Sequence, residues 1–142
     1  MRVNPVSFKG GSGKNGAVTD ADITDCRHLL IENDILPLPL QLTLLCRLPL
    51  NLVAIIDSGG KSFHGIARIN AKDQSEYKAK ACRILHDLRQ RFGFDQSNEN
   101  PSKLTRLPAG LREIGRRENG NGEQSVLFLS AGHREAENES IL

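Results

Sequence analysis

Leu52-Val53-Ala54-Ile55-Ile56-Asp57-Ser58-Gly59-Gly60-Lys61-Ser62-Phe63-His64 sets the architecture that the rest of the chain has to fit. An apolar, β-branched run ends in an acid and a glycine turn, and from Phe63 to Asn70 apolar residues such as Ile66 and Ile69 return. Strand, turn, strand predicts a β-hairpin. Two adjacent glycines let the backbone come close to a ligand. Side chains alternate along a strand, so Ser62 and His64 share one face and Phe63 takes the other. A cation (Lys61), a hydroxyl (Ser62) and an imidazole (His64) beside a glycine turn suit a phosphate group. The same residues also read as a tight hairpin with a surface histidine.

Towards the N-terminus, His28 to Asp34 is a short apolar run closing on carboxylates, the pattern of a buried strand that surfaces at its end. Leu38, Leu42 and Leu45 follow Pro37 and Pro39 at helical spacing, which predicts a helix from Leu38 to Leu48. Towards the C-terminus, Tyr77, Ala81, Ile84, Leu85 and Leu88 form one apolar stripe, predicting a helix from Gln74 to Phe92 with Gly93 as its stop. A further short strand is expected near Asp95, and Ser125 to Ser130 is a last strand. The order is β-α-β-β-α-β. Its economical packing is α+β: a ferredoxin-like or RRM-like palm, an antiparallel-rich sheet with two main helices. Residues 1–25, rich in glycine, are expected as a flexible arm, 26–131 as the folded domain and 132–142 as a loose tail.

A chain of 142 residues supports one core, since it buries roughly two-thirds of its unfolded surface. Nineteen Lys and Arg against seventeen Asp and Glu give a net charge of +2, which neither demands nor excludes nucleic acid. No segment is apolar for the ~18 residues that a bilayer requires. Cys26, Cys46 and Cys82 are odd in number and widely spaced, so a reducing cytoplasm is the expected compartment and neither a disulfide framework nor a zinc site is suggested. Gly10-Gly-Ser-Gly-Lys14 resembles a phosphate-binding loop, but Asn15 stands where Ser or Thr is required and no strand precedes it.

Three acids remain. Glu32 and Asp34 stand two apart at a strand end, where a period of two sends both carboxylates to one face. Two close anions repel, and a divalent cation relieves that, although solvated strand ends carry such pairs routinely. Asp95 follows the long helix and has no signal of its own. Lys103, Arg106 and Arg112 make a basic cluster that fits phosphates or an ordinary solvated loop.

Taken in order, Glu32-Asn-Asp34, Ser62-Phe-His64 and Asp95 resemble the catalytic domain of archaeo-eukaryotic-type primases, the primase-polymerase superfamily of phage and plasmid replication. Their flanks strengthen the resemblance: Leu30-Ile-Glu-Asn-Asp-Ile-Leu-Pro-Leu-Pro-Leu-Gln41, Asp57-Ser-Gly-Gly-Lys-Ser-Phe-His64 and Asn100-Pro-Ser-Lys-Leu-Thr-Arg-Leu-Pro-Ala-Gly110. The resemblance implies a nucleotidyltransferase, a DNA primase or polymerase that makes primers on single-stranded DNA from nucleoside triphosphates. Glu32, Asp34 and Asp95 would be catalytic and hold two Mg²⁺ or Mn²⁺ ions, set about 3.5–4 Å apart in two-metal chemistry. Lys61, Ser62, His64 and Arg106 would bind the nucleotide. A replicative helicase would be a partner, and no membrane. Glu32 stands where many members have Asp, and against the resemblance the short run before it reads as a fragment, a truncated product or a minimal palm that needs a partner. The alternative is a catalytically silent, nucleic-acid-binding palm. A strand-nicking initiator is disfavoured, since Tyr77 is the single tyrosine and no His-x-His occurs.

Overall fold

A computed structural model describes residues 2–3, 7–103, 105–106 and 123–130. Two short strands, β1 (Arg2–Val3) and β2 (Ser7–Phe8), lead into β3 (Ile23–Glu32), α1 (Leu38–Arg47), β4 (Leu52–Asp57), β5 (Phe63–Ala71), α2 (Gln74–Phe92), the two-residue β6 (Thr105–Arg106) and β7 (Ser125–Leu129). The principal elements keep the expected β-α-β-β-α-β order, and the class is α+β. The main sheet runs β2-β3-β5-β4-β7 with every pair antiparallel, while β1 and β6 pair separately. It follows that β3 and β4 are parallel with β5 between them, linked through α1. In the same way β5 and β7 are parallel with β4 between them, linked through α2. The last strand borders β4 and β2 borders β3, so the sheet edges differ from a ferredoxin-like order, in which the last strand borders the first.

Alternation sorts the strands onto two faces. Leu29, Ile31, Ile55, Phe63 and Ala67 join Leu45 of α1 and Tyr77, Ala81, Leu85 and Leu88 of α2 in the main core. α1 lies very close to the sheet: a Cβ on Gly65 would stand 2.8 Å from Leu45 Cδ2 and 3.3 Å from Leu52 Cδ2. The other face carries a second buried cluster, Leu30, Ala54, Ile56 and Ile66. α2 forms as its ends dictate. Asp73 accepts from the Glu76 amide at 2.8 Å, and Gly93, at φ 73°, takes the left-handed cap for which glycine is favoured.

Three expectations need correction. The first main strand starts at Ile23, not His28, because a register shift between Cys26 and His28 breaks the alternation that would have revealed it. The glycine-rich segment is tied to the sheet: Ser7 and Phe8 pair with Asp25 and Ile23, and the Lys9 amide donates to Asp22 O at 3.0 Å. No strand forms near Asp95; Gln96–Glu99 is a 3₁₀ turn that Asp95 caps. Arg112 and the tail expected from residue 132 lie outside the described residues.

Candidate functional site

β3 and β5 pair in a register that sets Glu32 directly opposite His64. Both side chains leave the face away from the helices, at the end of the buried Leu30–Ile66 cluster. His64 Nε2 lies 3.0 Å from Glu32 Oε2, and its Nδ1 lies 2.9 Å from Thr105 Oγ1 on β6. Both ring nitrogens are therefore occupied, and the ring is buried. A neutral imidazole with its proton on Nε2 donates to Glu32 and accepts the Thr105 hydroxyl; the imidazolium donates at both ends.

Burial pushes the Glu32 carboxyl up. The hydrogen bond and charge of His64 outweigh it, with Asn98 and Lys103 adding to them, and the group ends below the ordinary glutamate range. Asn98, fully buried in the turn after Asp95, acts on Glu32 through its nearby side chain, although neither of its amide atoms meets full hydrogen-bond geometry with a described residue.

Asp95 is joined to this corner through its backbone, whose amide donates to Glu32 O at 2.9 Å. Its carboxylate is engaged locally, accepting from the Ser97 amide at 2.8 Å and the Ser97 hydroxyl at 2.7 Å. Lys103 Nζ donates to that same hydroxyl at 2.9 Å. Asp34 lies just past the strand end, and Lys61 Nζ approaches its Oδ2 to 3.5 Å, with the two side chains 43% and 42% exposed. At that separation and exposure the pair contributes little to stability. Ser62 is buried, its hydroxyl 3.4 Å from that of Ser58 across the hairpin turn.

The structure thus joins Glu32 to His64 by side chains, Glu32 to Asp95 by backbone, and Asp34 to Lys61 by a loose ion pair. It does not gather the three carboxylates around a point. Among the described residues, no three Asp, Glu, His or Cys side chains stand close enough to share an ion. Arg106 is placed by its backbone alone, opposite Arg2. Among the described residues no helix is long and apolar enough to cross a membrane.

Thr105, Asn98, Asn33 and Gln41 escaped the sequence reading. Gln41 left a faint trace, a polar residue inside the apolar run from Leu36 to Leu45. Thr105 stands within the Asn100–Gly110 stretch of the resemblance, but nothing in the sequence ties it to His64, 41 residues away.

No family model matches the chain, and no curated protein matches it. Solved structures do. The AEP domain of the cyanophage S-2L primase-polymerase (PrimPol) superposes with a TM-score of 0.55 at 23% identity, over 84% of this chain and 60% of that one. The polymerase domain of Mycobacterium tuberculosis ligase D, solved in complex with DNA, gives a TM-score of 0.52 at 20% identity, over 78% of this chain and 47% of that one. The chain therefore spans between about half and three-fifths of the structures it matches. At these identities the likeness establishes a shared fold.

Proposed function

We propose that this chain is a nucleotidyltransferase palm of the primase-polymerase kind, making primers on single-stranded DNA from nucleoside triphosphates. The observation that carries the reading is the convergence of residues 32, 64 and 95 on one corner of the sheet. There His64 Nε2 lies 3.0 Å from Glu32 and the Asp95 amide 2.9 Å from the Glu32 carbonyl. The shared fold of two polymerase-type domains supports it. Phage or plasmid replication, with a helicase as partner, is the setting that the sequence resemblance suggests.

Glu32, Asp34 and Asp95 offer hard oxygen donors of the type that Mg²⁺ and Mn²⁺ take. Their chemistry fits such ions. Binding requires each carboxylate to exchange its present partner, His64, Lys61 or Ser97. Bound divalent ions would activate the attacking 3′-hydroxyl and stabilise the leaving pyrophosphate. Lys61, Ser62 and His64 would hold the triphosphate, with Arg106 as a further phosphate contact. The exchange is self-consistent for two of the acids, since a triphosphate that takes Lys61 and His64 frees Asp34 and Glu32 from their present partners.

A second reading is a nucleic-acid-binding palm without catalysis, favoured by the present engagement of every acid. Primer synthesis on single-stranded DNA with Mg²⁺ or Mn²⁺ separates the two. Metal ligation of this type supplies several kcal/mol, so Asp34→Ala and Asp95→Ala should each lose on the order of a hundredfold or more in rate, with circular dichroism melts near the parent's. Synthesis by Asp34→Ala at the parent's rate would remove the catalytic assignment. DNA binding by the parent without any synthesis would favour the silent palm. His64→Ala should weaken nucleotide binding more than DNA binding in parallel titrations.

A further inference from the structure

Two buried carboxamides, so far without a role, tie together the three segments that carry the candidate site. Asn33 sits between Glu32 and Asp34 and is 1% exposed. Its Oδ1 accepts from the Ile35 and Leu36 amides at 2.9 and 2.8 Å, and its Nδ2 donates to Phe92 O at 2.9 Å. Gln41 on α1 is equally buried and takes up the other side of Leu36. Its Nε2 donates to Leu36 O at 2.6 Å and to Lys61 O at 2.9 Å, while its Oε1 accepts from the Phe63 amide at 2.9 Å.

Leu36 thus gives its N–H to one carboxamide and its C=O to the other. A continuous path of hydrogen bonds runs from the end of α2, just before Asp95, through the acid-bearing turn, to the backbone on both sides of Ser62. Buried polar side chains persist when their hydrogen bonds are satisfied, and a satisfied network holds its members in one geometry. This network grips main chain almost exclusively. What it fixes is the relative placement of the segments whose side chains face the site.

We propose that Gln41, backed by Asn33, is a positioning residue that holds the Lys61–His64 segment in place against the Glu32–Asp34 acids before a nucleotide arrives. The proposal rests on the nucleotide-binding reading above. Gln41 itself touches no substrate; it acts through Lys61 and Phe63. A phosphate site set in advance on rigid elements binds more tightly than one that must be ordered by its ligand.

Gln41→Met keeps the length of the side chain and removes all three bonds; Gln41→Glu keeps the acceptor and removes the donor. Three quantities should be measured on each variant and the parent: affinity for a nucleoside triphosphate, affinity for single-stranded DNA, and amide exchange at Phe63. Gln41→Met should lose on the order of tenfold in triphosphate affinity. DNA affinity should hold, and exchange should quicken at Phe63 but not at Ala67. A folded Gln41→Met that has lost Phe63 protection yet binds triphosphate like the parent overturns the proposal. Should both variants fail to fold, the parent decides: its Phe63 amide must be protected without nucleotide, and exchange at an open-chain rate until nucleotide is added overturns preorganisation. A parent that binds no triphosphate at all sinks the functional reading instead.

Discussion

Asp22 Oδ2 accepts four hydrogen bonds, from the backbone amides and the hydroxyls of Ser12 and Thr19, at 2.8 to 3.0 Å. The two backbone amides act most strongly, and with the hydroxyls they outweigh the effect of desolvation and hold the carboxyl far below the ordinary aspartate range. A native pKa depressed from 3.8 gives stability that is complete above that value and declines as pH falls from there towards the native one. Asp22→Asn should therefore be less stable than the parent at neutral pH, and the gap should narrow below about pH 4 in urea titrations across pH. A gap that stays constant with pH would show that the charge is not what stabilises. Thr19-x-x-Asp22 is a local capping-box pattern, but nothing announces the other half of the site, since Ser12 lies ten residues back in a stretch that reads as loose. Glu32 and His64 are different: the strand period and the hairpin reading constrain which face each one leaves. What no local pattern supplies is the partner of a buried amide such as Gln41, because its bonds run to backbone atoms 20 and 22 residues away.

α2 was legible along its whole length, and its stop signal can be tested directly. Gly93 has φ 73°, and a Cβ there would meet nothing closer than Ile35 Cδ1 at 3.8 Å. Space is available, so the cost of Gly93→Ala comes from the left-handed backbone alone, about 1–2 kcal/mol. Because Asp95 follows two residues later and donates its amide to Glu32 O, that strain falls on the joint between α2 and the acid corner. A thermal or chemical melt that leaves Gly93→Ala as stable as the parent would show that the cap relaxes without cost. β3 was only half legible, and the reason is geometric. Its buried positions Ile23, Cys26 and Leu29 are spaced by three where a regular strand would space them by two, with one register shift where Ile23 and Asp25 meet Phe8 and Ser7 and another between Cys26 and His28. The short strand expected near Asp95 does not form; the polar residues Gln96 to Glu99 offer no period, and they take a 3₁₀ turn that the Asp95 carboxylate caps.

At the scale of the whole molecule, the sheet is buried on both faces around the candidate site. Leu29, facing the helices, is 0% exposed, and Leu30, facing away from them, is 1% exposed. β6 reaches over that second face through the contact of Thr105 with His64. An RRM-like sheet read from sequence predicts helices on one side and leaves the other unassigned, because Leu30, Ala54, Ile56 and Ile66 look the same whether water or protein lies above them. Burial decides the electrostatics of the Glu32–His64 pair, since charges beside an apolar, dry floor interact far more strongly than charges in water. If the floor is packed, Leu30→Ala should cost about 2–5 kcal/mol, the range for a leucine deleted from a core. Leu29→Ala on the helix face should cost a similar amount. If water reached that face instead, Leu30→Ala would cost a small fraction of Leu29→Ala, and the pair at its end would be screened like surface charges. Urea unfolding of the two variants side by side distinguishes the cases, and near-equal midpoints mean that the candidate site stands on a second core.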